Sequence, residues 1–264
     1  MKEKRKVLIA LIIVIIILVV ALFLLFSNNN KKLSDFVVSN QEEQLAKINN
    51  AKKYGDDVIG WIRVEGTNID MALIQRNDTA DVTRADYDFA WTNSFPDENS
   101  NHLNFISHNI RNVSSNPIIG DDTMIRFEQL MSFIYPDFIN ENQFIEITDE
   151  NGDISIYRIF GVSLVNDNQL ASYYDTYTLE EQKEYIEKVR NESMYDIPVD
   201  VSENDMLLTL FTCTRFYGAI EYTFRVDARK LRENEEMSLI EATTNDNYDI
   251  IEERMGEGEN NETV

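Results

Sequence analysis

Met206-Leu207-Leu208-Thr209-Leu210-Phe211-Thr212-Cys213 is a strand-like run that ends on the only cysteine of the 264-residue chain. A second strand-like run follows, Ala219 to Ala228. Alternation along it sets Tyr222, Phe224, Val226 and Ala228 on one face and Glu221, Thr223, Arg225 and Asp227 on the other. A lone cysteine cannot close an intramolecular disulfide. Three readings remain for Cys213: a buried apolar filler, an intermolecular bridge, or a working thiol.

Upstream of this pair the same alternation recurs. Val58 to Val64 and Ile69 to Gln75 read as strands joined by a turn at Glu65-Gly66-Thr67-Asn68. Gln143 to Thr148 and Ile154 to Leu164 read as a hairpin across Asp149-Glu150-Asn151-Gly152-Asp153. Leu103 to Ser107 is a short strand leading into His108-Asn109. The segment Arg76 to Asn101 is polar and reads as irregular, and Asn112 to Asp122 reads as a loop. Helices are expected over Leu33 to Tyr54 and Met124 to Phe133. A third is expected from Thr178 to about Arg190, opened by the capping box Thr178-Leu179-Glu180-Glu181 and carrying Leu179, Ile186 and Val189 on one face. Many short strands with few helices imply a mainly β barrel or sandwich decorated with helices.

Residues 1–6 form a basic cytoplasmic N-terminus, and residues 7–26 run without a polar side chain. About 20 such residues match the thickness of a bilayer core, so the segment reads as an uncleaved single-pass anchor with its N-terminus inside the cell. A stalk, 27–32, then leads to an extracellular domain over 33–231, long enough for one sizeable core. Residues 232–264 are rich in Glu, Asp and Asn and read as a largely disordered acidic tail. The net charge of −23 argues against a nucleic-acid partner, because phosphates would repel such a surface.

Thiol chemistry needs a group that handles the proton and donors for an oxyanion. The chain has two histidines. His102 sits among polar residues and reads as a solvated loop histidine, whereas His108 stands at a strand end where a side chain is held. Arg225 reads either as a cation on a solvated strand face, paired with a carboxylate, or as a fixed cation beside Cys213. Arg215, two residues past the cysteine, is its rival. The carboxylates are scattered, with no ligand cluster for zinc or calcium, so neither metal nor cofactor is expected.

Taken together, these residues resemble the sortases, cysteine transpeptidases of Gram-positive cell surfaces. Thr209-Leu210-Phe211-Thr212-Cys213 matches their TLxTC signature. Arg225 falls where they carry an arginine on the next strand, and Ser107-His108-Asn109 resembles their strand-end histidine. Gly60 to Asp70 and the helix before the last strands are similar to class B. The resemblance spans about Leu33 to Leu231.

It implies an eight-stranded barrel with an N-terminal helical element and a helix before the penultimate strand. It also implies that Cys213 forms a thioester with a C-terminal sorting motif of secreted proteins. His108 would shuttle the proton, Arg225 would orient the carbonyl, and Thr212 and Asn109 would assist at the substrate. The acceptor would be an amine of a peptidoglycan precursor or of a pilin, and the anchor would place the enzyme against membrane lipid. Two alternatives stay open: an anchored cysteine peptidase that only hydrolyses, and a non-enzymatic surface module.

Overall fold

The computed structural model describes residues 32–53, 55–75, 88–92, 94, 96–109, 126–165, 174–214 and 222–261. A closed barrel is formed by β1 (Val58–Val64), β2 (Asp70–Gln75), β3 (Phe89–Thr92), β4 (His102–Ile106), β5 (Phe144–Asp149), β6 (Ile154–Val165), β8 (Leu207–Thr214) and β9 (Tyr222–Lys230). Their spatial order is β1-β2-β3-β4-β8-β9-β6-β5. Two short strands, β7 (Tyr195–Asp196) and β10 (Thr243–Thr244), pair separately. The helices are α1 (Gln41–Ala51), α2 (Pro136–Glu141), α3 (Leu179–Glu192) and α4 (Asp246–Asn261), with a 3-10 turn at Glu128–Ile134. This is the mainly β architecture expected from the strand pattern, with the eight-stranded barrel that the resemblance implies.

The barrel closes because each wall strand sends alternate apolar residues inward. Ile62, Phe105, Ile145, Leu208, Leu210, Phe224 and Val226 are buried in one core. A second, smaller apolar layer lies outside β1–β3. There Ile48 and Ala51 of α1 cover Val58, Ala72, Ile74, Phe89 and Trp91. The helix is shorter than the predicted Leu33 to Tyr54 because Asn40 caps it, its Oδ1 accepting from the N–H groups of Glu42 and Glu43.

The strand β3 lies inside the stretch read as irregular. It runs parallel to β2, pairing Phe89 with Ala72, and a parallel neighbour needs a long crossover that leaves no hairpin signal. The expected helix over Met124 to Phe133 is the 3-10 turn, all of whose residues are buried.

The capping box opens α3 as predicted: Thr178 Oγ1 accepts from Glu181 N at 3.3 Å, and Glu181 Oε2 accepts from Thr178 N at 2.8 Å. Its buried face is Gln182, Tyr185, Ile186 and Val189, whereas Leu179 is exposed. The helix seats closely on β6 because Gly161 has no side chain; a Cβ there would clash with Val189.

Two expectations are corrected. The single-pass membrane placement is not supported: among the described residues no helix is long and apolar enough to cross a membrane. Residues 7–26, on which it rested, lie outside the described residues. The acidic tail is not a loose end either, because Ala242, Tyr248 and Ile251 are buried in the main core. Remote side chains capture its backbone. Gln143 Oε1 accepts from Ile240 N at 2.9 Å, Asn140 Oδ1 accepts from Ala242 N at 2.8 Å, and Asn140 Nδ2 donates to Ala242 O at 3.0 Å. Arg158, almost fully buried, donates to the carbonyls of Ser238 and Glu236 and pairs with Glu235 at 3.3 Å.

A chain ending at Leu231 leaves Arg158 buried without these acceptors. It is expected to lose about 3–5 kcal/mol of stability, read as a lower urea midpoint. A midpoint unchanged by the truncation contradicts this role for the tail.

Candidate active site

Cys213 is half-buried near the C-terminal end of β8. Antiparallel register sets Thr223 opposite Cys213 and Arg225 opposite Phe211. Cross-strand partners share a face, so Cys213 and Arg225 are diagonal neighbours, about 7–8 Å apart at the backbone. That face is the outer one, since Leu210, Phe224 and Val226 point into the barrel core. Burial pushes the Cys213 thiol above its ordinary 9.0, so it is protonated at neutral pH.

His108 arrives from β4, which runs parallel to β8 with Ile106 beside Phe211. Continuing that register by two residues brings His108 level with Cys213. Thr212 extends the alignment past the last ladder pair, its hydroxyl donating to Ser107 O at 2.8 Å. The imidazole packs on Trp91 of β3, with ring centroids 5.0 Å apart. Phe127 N donates to His108 O at 3.3 Å. Burial, assisted by the charge of Arg126, lowers the His108 pKa below 6.5. The resting pair is therefore a thiol and a neutral imidazole, and the nucleophile forms only when the proton moves.

Arg225 is fully buried. It is not the solvated surface cation of one sequence reading, although it is paired with carboxylates. Its Nε donates to Asp227 Oδ2 at 2.7 Å, and one terminal nitrogen donates to Glu192 Oε2 at 2.9 Å. The guanidinium also lies 5.8 Å from the ring centroid of Tyr185.

Thr212, expected at the substrate, has its side chain turned to the neighbouring strand. It is fully buried and its hydroxyl bonds Ser107, so it positions the end of β4. Asn109 is half-buried directly after His108. Arg215 lies outside the described residues.

The network beneath α3 has no signal in the sequence. His102, read as a solvated loop residue, is fully buried in β4, because parallel pairing with β8 sets it beside that strand. Its Nε2 lies 2.7 Å from Thr209 Oγ1, and Thr209 donates to Asp227 Oδ1 at 2.8 Å. Tyr185 OH donates to the same oxygen at 2.7 Å. The Thr209 proton is committed to the carboxylate, so the imidazole must supply the proton for its own bond and is the Nε2–H tautomer. Its Nδ1 has no hydrogen-bond partner among the described residues, in keeping with a pKa lowered by burial to about 4. Among the described residues there is no group of three or more His, Cys, Asp or Glu able to hold a metal.

No protein-family model matches the chain. Sortase B of Staphylococcus aureus (strain NCTC 8325 / PS 47) is 21% identical over 186 residues, covering 68% of this chain and 72% of that protein. Sortase B of Listeria monocytogenes is 22% identical over 188 residues, covering 63% and 67%. The structure is similar to Clostridium perfringens sortase B, with a TM-score of 0.58 and 24% identity over 70% of this chain and 99% of that one.

Barrel and neighbours together give the chain a sortase-like fold, and its sequence resembles sortase B. The chain is most like the class B sortases, and this kinship supports a cysteine transpeptidase of sortase type.

The two pKa directions fix the expected pH dependence. An active form with thiolate and imidazolium is a minor species whose share is flat between the two pKa values. It falls as pH drops through the His108 value, below 6.5, and as pH rises through the Cys213 value, above 9.0. Alkylation of Cys213 by iodoacetamide is expected to rise with pH with a midpoint above 9.0. A midpoint at or below that value contradicts the assignment.

Proposed function

We propose that this chain cleaves a C-terminal sorting motif of secreted proteins through a thioester on Cys213 and passes the acyl group to an amine of the cell wall or of a pilin. The observation that carries this reading is the shared outer face of Cys213 and Arg225 on β8 and β9, with His108 delivered by β4.

In the acylation half, the Cys213 thiolate attacks the carbonyl carbon of a threonine. The imidazolium of His108 protonates the departing amine as the C–N bond breaks. In the second half, neutral His108 takes a proton from the incoming amine, which attacks the thioester and restores the thiolate. Arg225 donates to the carbonyl oxygen as it gains charge. Structures of Staphylococcus aureus sortase B with a substrate, and of sortase B with triglycine, are similar to this one and favour a peptide donor and an amine acceptor here.

The test is incubation of the chain with sorting-motif peptides, with and without triglycine, followed by mass spectrometry. A new amide product with triglycine is expected, and cleavage without transfer across plausible amines reduces the activity to hydrolysis. Cys213→Ala should abolish both reactions. Arg225→Ala should lower kcat by about 100- to 1,000-fold, the size of one lost oxyanion donor, with the circular dichroism spectrum unchanged. Wild-type turnover in Arg225→Ala removes that residue from the mechanism.

A further inference from the structure

Arg225 must donate to substrate under the transpeptidase reading, yet its side chain has 0% exposure. Whatever reaches it has to displace one of the groups that cover it. Among the described residues, the groups facing it include Asp227 of β9, Glu192 and Tyr185 of α3, and, beyond Asp227, the neutral His102 of β4.

The two carboxylates are held very differently. Asp227 is two residues from Arg225 on the same strand and fully buried, and it accepts three bonds, from Arg225, Tyr185 and Thr209. Removing it would leave the Arg225 Nε–H without its acceptor and make Tyr185 and Thr209 re-pair with each other and with His102. Glu192 is the last residue of α3 and its side chain is 33% exposed. A second cation is at hand, because Lys188 Nζ lies 4.0 Å from its other oxygen. Glu192 thus has both a route into water and a partner to swing toward.

We infer that Asp227 is the positioning residue that aims Arg225 at the acyl group on Cys213, and that Glu192 is an exchangeable cover which the substrate carbonyl displaces. Two carboxylates around one guanidinium leave the cluster with one net negative charge. Departure of Glu192 brings it to neutrality and uncovers a terminal N–H pair. Substrate entry thereby strengthens the field of Arg225 on the neighbouring thiol. The inference rests on the transpeptidase reading, but its first measurement needs no substrate.

Glu192→Gln and Asp227→Asn are made in the full chain. The pH dependence of Cys213 alkylation by iodoacetamide is measured first, then kcat and KM with a sorting peptide and triglycine. Removing either charge should shift the alkylation midpoint downward, which a merely structural residue would not do. Glu192→Gln should lower KM about fivefold with kcat retained, since a neutral bond is easier to displace than a charged one. Asp227→Asn should lower kcat about 100-fold through misaimed geometry, with KM held.

An unmoved midpoint together with an unchanged or raised KM in Glu192→Gln overturns the inference. So does wild-type kcat in folded Asp227→Asn. If Asp227→Asn does not fold, Glu192→Gln decides alone, because a half-exposed glutamate at a helix end is dispensable to the fold. Full activity in Cys213→Ala would instead overturn the transpeptidase reading, and the alkylation result would still judge the two carboxylates.

Discussion

The parallel pairing of β4 with β8 is the constraint on which the site depends. No hairpin joins these strands: Ile106 pairs with Phe211 across most of the barrel sequence. Nothing local can set their register, so side chains do. His102 bonds Thr209 at one end and Thr212 bonds the carbonyl of Ser107 at the other. A slip of one residue would turn every side chain of one strand to the opposite face. If β4 turned, His108 would face away from Cys213; if β8 turned, Leu210 would leave the core. The polar ties at both ends make that slip costly, since each would leave a buried group unpaired.

Electrostatics at the site are organised around compensation rather than excess charge. Cys213 is uncharged at rest and His108 is neutral, both because burial disfavours their ions. Arg225 keeps its charge but shares it with carboxylates. A buried pair of this kind contributes little net stability, because desolvation offsets most of the attraction. What it secures is direction: a guanidinium held through Nε presents its remaining N–H groups at a fixed angle. The guanidinium is thus held for aim more than for the strength of its field.

Much of this was legible in the chain, and the reasons differ by element. The strands β8 and β9 and the cap of α3 rest on local patterns of alternation and spacing, which survive in a single sequence. The strand β3 was missed because its partner lies across a crossover. The tail was misread because composition describes what a segment cannot bury alone, while Asn140 and Gln143 supply bonds from far away. For Arg225 the alternation was right about the face and wrong about its surroundings. A polar strand face reads as solvated unless a helix is known to cover it. His102 failed for the same reason, since nothing near it in sequence announces Thr209, Tyr185 or Asp227.

The missing side chain at Gly161 has a reach beyond packing. It lets Val189 settle against β6, and Glu192 follows less than one helical turn later. The distance between helix and wall is therefore also the length of the latch over the guanidinium. Drift at this apolar contact would also shift Glu192 against Arg225.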